Sequence, residues 1–121
     1  MKKRLILKNL SSSQLIPLLE EWSPASNEDV YICLDMEIGF SGQGDGINLF
    51  YVTLATPESL RRYVVGPCLA KNRTILISEY SYQIVMNIIL EILDDCTRET
   101  FEESCTVLQR YFSWEYEDYN M

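Results

Sequence analysis

The chain has 121 residues, 47% hydrophobic and 23% charged, with a formal net charge of −8. A chain of this length buries about two-thirds of its unfolded surface, so a single domain over 1–121 is expected to fold without disulfides or metal, and the composition excludes a disordered or low-complexity chain. Histidine is absent, which removes the commonest general base and metal ligand, and no apolar run approaches the roughly 20 residues of a membrane-spanning helix.

The start, Met1-Lys2-Lys3-Arg4, is basic, but only Leu5-Ile6-Leu7 follows before Lys8-Asn9, too short for an export signal. Residues 3–9 read as a first, short strand. Residues 11–22 carry Leu15, Leu18, Leu19 and Trp22 at helical spacing, with Pro17 permitting only a helix start near it. After a polar loop over 23–28, Val30, Ile32, Leu34, Met36, Ile38 and Phe40 alternate with Tyr31, Cys33, Asp35, Glu37 and Gly39. Strict period two predicts a strand with one buried and one wetter face. The stretch 41–46, with glycines at 42, 44 and 46, reads as a hairpin turn. A strand rather than a helix follows it, and Asp45 puts negative charge in the loop, so it does not suit a phosphate. Residues 47–56 are apolar on both parities, as a central strand requires, and should pair antiparallel with the strand before.

Thr56-Pro57-Glu58 is a helix start: a capping hydroxyl, proline at the first helical position and an acid at the positive end of the dipole. Gly66-Pro67 should end that helix. Arg73 to Ser78 reads as a fourth strand. Ser81 then opens the best helix, with Ile84, Val85, Ile88, Ile89, Ile92 and Leu93 as its apolar stripe, so Ile88→Asp should unfold the domain. Thr100 and Glu103 form a capping box for a last helix whose apolar side is Phe101, Cys105, Leu108 and Phe112. Strands early and long helices late predict an α+β fold: a mostly antiparallel sheet of about four strands, with two C-terminal helices on one face.

Few residues carry chemistry. Cys33, Cys68, Cys96 and Cys105 form no C-x-x-C pair and should stay reduced in a cytosolic protein. Serines and cysteines have no base partner, so nucleophilic catalysis has no visible constellation. The adjacent acids at 20–21, 94–95, 102–103 and 117–118 should face water. Asp35 and Glu37 share one strand face and are the best seat for a small carboxylate- or metal-dependent enzyme, but the further oxygens a hard metal needs are not supplied. Lys71 and Arg73 could flank an anion, though two bases beside an acidic body are more often solvated. No metal site, cofactor or catalytic residue is assigned.

Charge is polarised. Residues 1–8 hold four bases, whereas 76–121 hold ten acids against Arg98 and Arg110. Such a surface repels nucleic acid and anionic membrane; on charge alone its acids more often just keep a small protein soluble, and the alternative is that they steer a basic partner. The tail, Trp114, Glu115, Tyr116, Glu117, Asp118 and Tyr119, alternates aromatics with acids. Two roles stay open for it: an extended segment burying its aromatics on the sheet, or a recognition surface, since Trp and Tyr dominate hot spots. Both hold together if aromatics turn inward and acids outward.

Thr53-Leu54-Ala55-Thr56-Pro57-Glu58-Ser59-Leu60, Ile75-Leu76-Ile77-Ser78-Glu79-Tyr80-Ser81-Tyr82, Thr100-Phe101-Glu102-Glu103 and Trp114-Glu115-Tyr116-Glu117-Asp118-Tyr119 together resemble the immunity protein 8 family of bacterial polymorphic-toxin systems. The ending W-E-[FY]-x-D-Y is the most specific element. The resemblance implies a small cytoplasmic protein, encoded beside a secreted toxin or one delivered in contact-dependent growth inhibition, that binds that toxin's C-terminal domain and blocks it; an exposed strand edge allows a weak homodimer, but a monomer suffices. Many such toxins are nucleases with basic clefts. No contact residue carries over from the family, and 11–28 and 41–46 follow no pattern of it. An acidic adaptor or chaperone-type module is the alternative.

Overall fold

In a computed structural model, residues 3–15, 18–42, 48–63 and 73–116 are described. The elements run β1 (Leu5–Ser11), a single 3-10 turn (Leu19–Glu21), β2 (Tyr31–Phe40), β3 (Asn48–Ala55), α1 (Pro57–Tyr63), β4 (Thr74–Leu76), α2 (Tyr82–Cys96), α3 (Phe101–Leu108) and β5 (Ser113–Trp114). The α+β expectation holds, with five strands in one sheet of order β1-β2-β3-β4 and β5 joined to β3.

β2 alternates as the sequence demands: Ile32, Leu34, Met36, Ile38 and Phe40 are buried, and Cys33, Asp35 and Glu37 are only partly so. Its antiparallel hairpin with β3 sets Leu34 opposite Val52 and Met36 opposite Phe50, so both strands turn the same parity inward. Gly42 takes φ +81 in the turn, a conformation that disfavours a Cβ; Gly44, Asp45 and Gly46 lie outside the described residues. β1 pairs antiparallel with β2, and Leu5, Leu7 and Leu10 break period two by one residue. The bulge between Leu7 and Asn9 absorbs that residue, so Leu10 returns to Met36 and to the core face.

The sheet is mostly antiparallel, as expected, and β4 is its parallel member. It runs parallel to β3, with Thr53 opposite Thr74 and Ala55 opposite Leu76. The physical reason is the helix between them: a crossover returns the chain to the same end of the sheet, where a tight turn would have reversed it. The start of that helix forms as expected and also ties to Val30, just before β2. The Thr56 hydroxyl accepts from the amides of Ser59 (3.4 Å) and Val30 (3.0 Å), while the Thr56 amide donates to the Ser59 hydroxyl (3.2 Å). Gly66, Pro67, Cys68 and Lys71 fall outside the described residues.

α2 and α3 cover the inward face. Val85, Ile89, Leu93 and Cys96 of α2 join Cys105 and Leu108 of α3 and the inward residues of β2 and β3 in one core cluster. Phe40 meets Phe101 edge-on at 5.4 Å. The stripe of α2 is rotated from the sequence reading: Ile84 is 47% exposed and Ile88 only partly buried, while Val85 and Ile89 are fully covered. The helix is apolar on more than one side, and only the sheet selects which side is buried. Phe112 is fully buried but lies beyond the end of α3, so it is not part of that helix's apolar side. The predicted helix within 11–22 reduces to the turn Leu19–Glu21. Leu19 and Trp22 still serve the core, and Trp22 meets Tyr80 edge-on at 5.0 Å.

The helix ends follow their local chemistry. Ser81 accepts from the Ile84 amide. At α3 the box closes both ways: the Glu103 amide donates to the Thr100 hydroxyl (3.1 Å), and that hydroxyl donates to the Glu103 carboxylate (2.9 Å). Thr100→Ala is expected to cost about 1 kcal/mol in urea unfolding; an unchanged midpoint would show that α3 is held by packing alone. Thr97, after α2, donates to the Leu93 carbonyl and accepts from the Leu5 amide, which ties the helix to β1.

Candidate partner-binding surface

The outer edge of β3 is shared by two strands. β4 covers it at 53–55, and β5 covers it antiparallel at Phe50 and Tyr51. One residue further the Glu115 amide donates to the Leu49 carbonyl (3.0 Å), and its carboxylate accepts from the Leu49 amide (2.6 Å). The tail therefore completes an edge that would otherwise leave backbone groups unpaired. Arg73 links the two strands: its carbonyl accepts from the Thr53 amide (2.9 Å), and its guanidinium donates to the Ser113 hydroxyl (3.2 Å). It is a structural connector, where the sequence suggested a solvated base or an anion site.

Trp114 lies opposite Phe50 in register and stacks on it, 5.9 Å between centroids at 11°. Its indole N–H donates to Asn48 Oδ1 (3.1 Å). Tyr116 meets the Trp114 ring edge-on at 5.5 Å and stays 43% exposed. The described residues of the tail differ in placement. Trp114 packs, Glu115 is tied to the β3 backbone rather than turned freely to water, and Tyr116 presents a ring outward. Glu117, Asp118 and Tyr119 lie outside the described residues.

The sheet face away from α2 and α3 carries Tyr31, Cys33, Asp35 and Glu37 of β2. Register adds Leu49, Tyr51 and Thr53 of β3, Asn9 and Ser11 of β1, and Ser113. Asp35 and Glu37 do share this face, as alternation predicts. They differ in what holds them. Asp35 Oδ2 accepts from the Ser13 amide (3.0 Å), pinning the segment after β1, and Gln14 Oε1 accepts from the Cys33 amide (2.6 Å) beside it. Glu37 is partly buried. Tyr51 stands opposite Asp35. Burial pushes its phenol above the usual range, and Glu115, Asp35 and Cys33 push it further. The tail carboxylate and the β2 carboxylate therefore act on one phenol. Hairpin register creates that meeting, so Tyr51 carried no signal in the sequence.

The remaining candidates are displaced from any shared site. Burial raises the Cys33 thiol, with Asp35 adding to it, the opposite direction from an activated thiolate. Burial and Glu102 push the Cys105 thiol up to about 12. Cys33, Cys96 and Cys105 are free thiols. Glu20, Glu21, Asp94, Asp95, Glu102 and Glu103 are exposed. Among the described residues no group of three or more acids or cysteines is placed to hold a metal ion, and no helix is long and apolar enough to cross a membrane.

A sequence model of the family described as immunity protein 8 matches residues 5–119. No curated protein and no solved structure gives a match.

Proposed function

The chain belongs to the immunity protein 8 family, a family of toxin-inhibiting immunity proteins, and from that membership we propose that it neutralises one cognate bacterial toxin domain by binding it stoichiometrically, with no chemistry of its own. It acts in the cytoplasm as one domain over its whole length, monomeric or weakly dimeric, without cofactor, metal, nucleic acid or membrane. Its toxin is basic, in keeping with a nuclease of the contact-dependent class, and the acid-rich C-terminal half steers the encounter. The match over 5–119 carries the reading, and the ten acids against two bases over 76–121 support the charge of the partner. Contact runs through the tail, from Trp114 and Glu115 to Tyr116, Glu117, Asp118 and Tyr119. The exposed ring of Tyr116 at the end of β5 favours this, while Trp114 serves mainly to hold the segment in place.

Co-expression with the toxin domain encoded beside it is expected to restore growth to poisoned cells, and continued killing with soluble protein present would reject inhibition. For the steering component, the association rate should fall roughly tenfold or more from low to high salt. A rate indifferent to ionic strength would leave inhibition standing but remove charge from its mechanism.

A further inference from the structure

Given a toxin partner, as proposed above, we infer that its docking surface extends from the tail onto the β2–β3 face opposite the helices, where Glu37, with Asp35, Tyr51 and Glu115, receives an arginine or lysine side chain of the toxin. The ten-acid excess would by itself point to the exposed acids of α2 and α3, such as Glu91 and Glu102. Those side chains are exposed, and a single solvated charge contributes little to a complex. The sheet face is built differently. Asp35 is held by the Ser13 amide and Glu115 by the Leu49 amide, so two carboxylates are fixed before any partner arrives. Both act on Tyr51, which stands between their strands. Glu37 lies two residues along the same face, and its side-chain carboxylate has no hydrogen bond or ion pair among the described residues. Leu49, directly opposite Glu37, and Tyr51, opposite Asp35, are only partly buried and add apolar area beside the charge. Aromatic and aliphatic surface with ordered carboxylates is the chemistry that takes a cation on a long alkyl stem. Through Glu115 and Tyr116 the face is continuous with the tail.

The toxin domain neutralised in the co-expression assay is the probe. E37K is expected to raise its Kd at least about tenfold, and E37Q, which keeps the shape and removes the charge, by about threefold or more. E91K makes the same change of charge on α2 and is expected to alter Kd by less than about threefold. Unfolded E37K, recognised by circular dichroism, hands the decision to E37Q. A Kd unmoved by a folded Glu37 variant, or moved as far by E91K, overturns this placement while leaving the inhibitor function intact. A wild-type chain with no affinity for the toxin overturns that function and the docking surface with it.

Discussion

Ile89→Asp is expected to leave the protein unfolded. Ile89 is fully buried at the middle of α2, between Val85 and Leu93, in the cluster that contains Leu34, Met36 and Ile38 of β2. Truncation there would remove a large side chain, a loss of about 2–5 kcal/mol. Aspartate adds the desolvation of a carboxyl group with no partner, which raises its pKa toward the neutral form and still costs several kcal/mol. The sum reaches the whole stability of an ordinary domain, about 5–15 kcal/mol. Far-UV circular dichroism and urea melts check it. Ile84→Asp, at a side chain 47% exposed on the same helix, should change stability by less than about 1 kcal/mol. A cooperative melt of Ile89→Asp close to wild type would mean that α2 does not pack on this sheet face.

Trp114→Ala is the second large effect, and it separates packing from recognition. The ring stacks on Phe50, which is itself fully buried, and its N–H is bonded to Asn48. Complete burial would set the loss at about 3–5 kcal/mol; because the indole is only partly covered, about 2–3 kcal/mol is expected. The change should also loosen Glu115 from Leu49, since β5 has only two residues and little else to register it. Hydrogen exchange at the Leu49 amide should therefore quicken. Trp114→Phe retains a stacked ring, loses the bond to Asn48, and should cost about 1 kcal/mol. If Trp114→Ala kept its urea midpoint and lost only toxin affinity, the residue would be a contact and not an anchor.

These two residues also mark where sequence reading succeeds and where it stops. The burial of α2 was legible from its apolar spacing, but Ile84 and Ile88 look as good as Val85 and Ile89 in a string with isoleucine on several sides. Which side is covered depends on the angle at which the helix meets β1 and β2. The tail announced its aromatics, yet only a neighbour such as Phe50, 64 positions away, separates Trp114 from the exposed Tyr116. Asp35 was visible as an acid on a strand. Its tie to the Ser13 amide was not, because that contact needs β1 paired at a register shifted by one bulged residue.

Determined by sequence alone were the features written in adjacent residues: the alternation of β2, the caps at Thr56, Ser81 and Thr100, and the α+β order. Each rests on interactions within a few positions along the chain, where backbone geometry leaves little choice. Tertiary structure decided the parallel direction of β4, the seating of β5 on the remaining edge of β3, and the face on which Tyr51 meets Asp35 and Glu115. Those depend on which edge amides and carbonyls remain unpaired once β2 and β3 have joined. The unpaired groups must find partners wherever the rest of the chain can bring them.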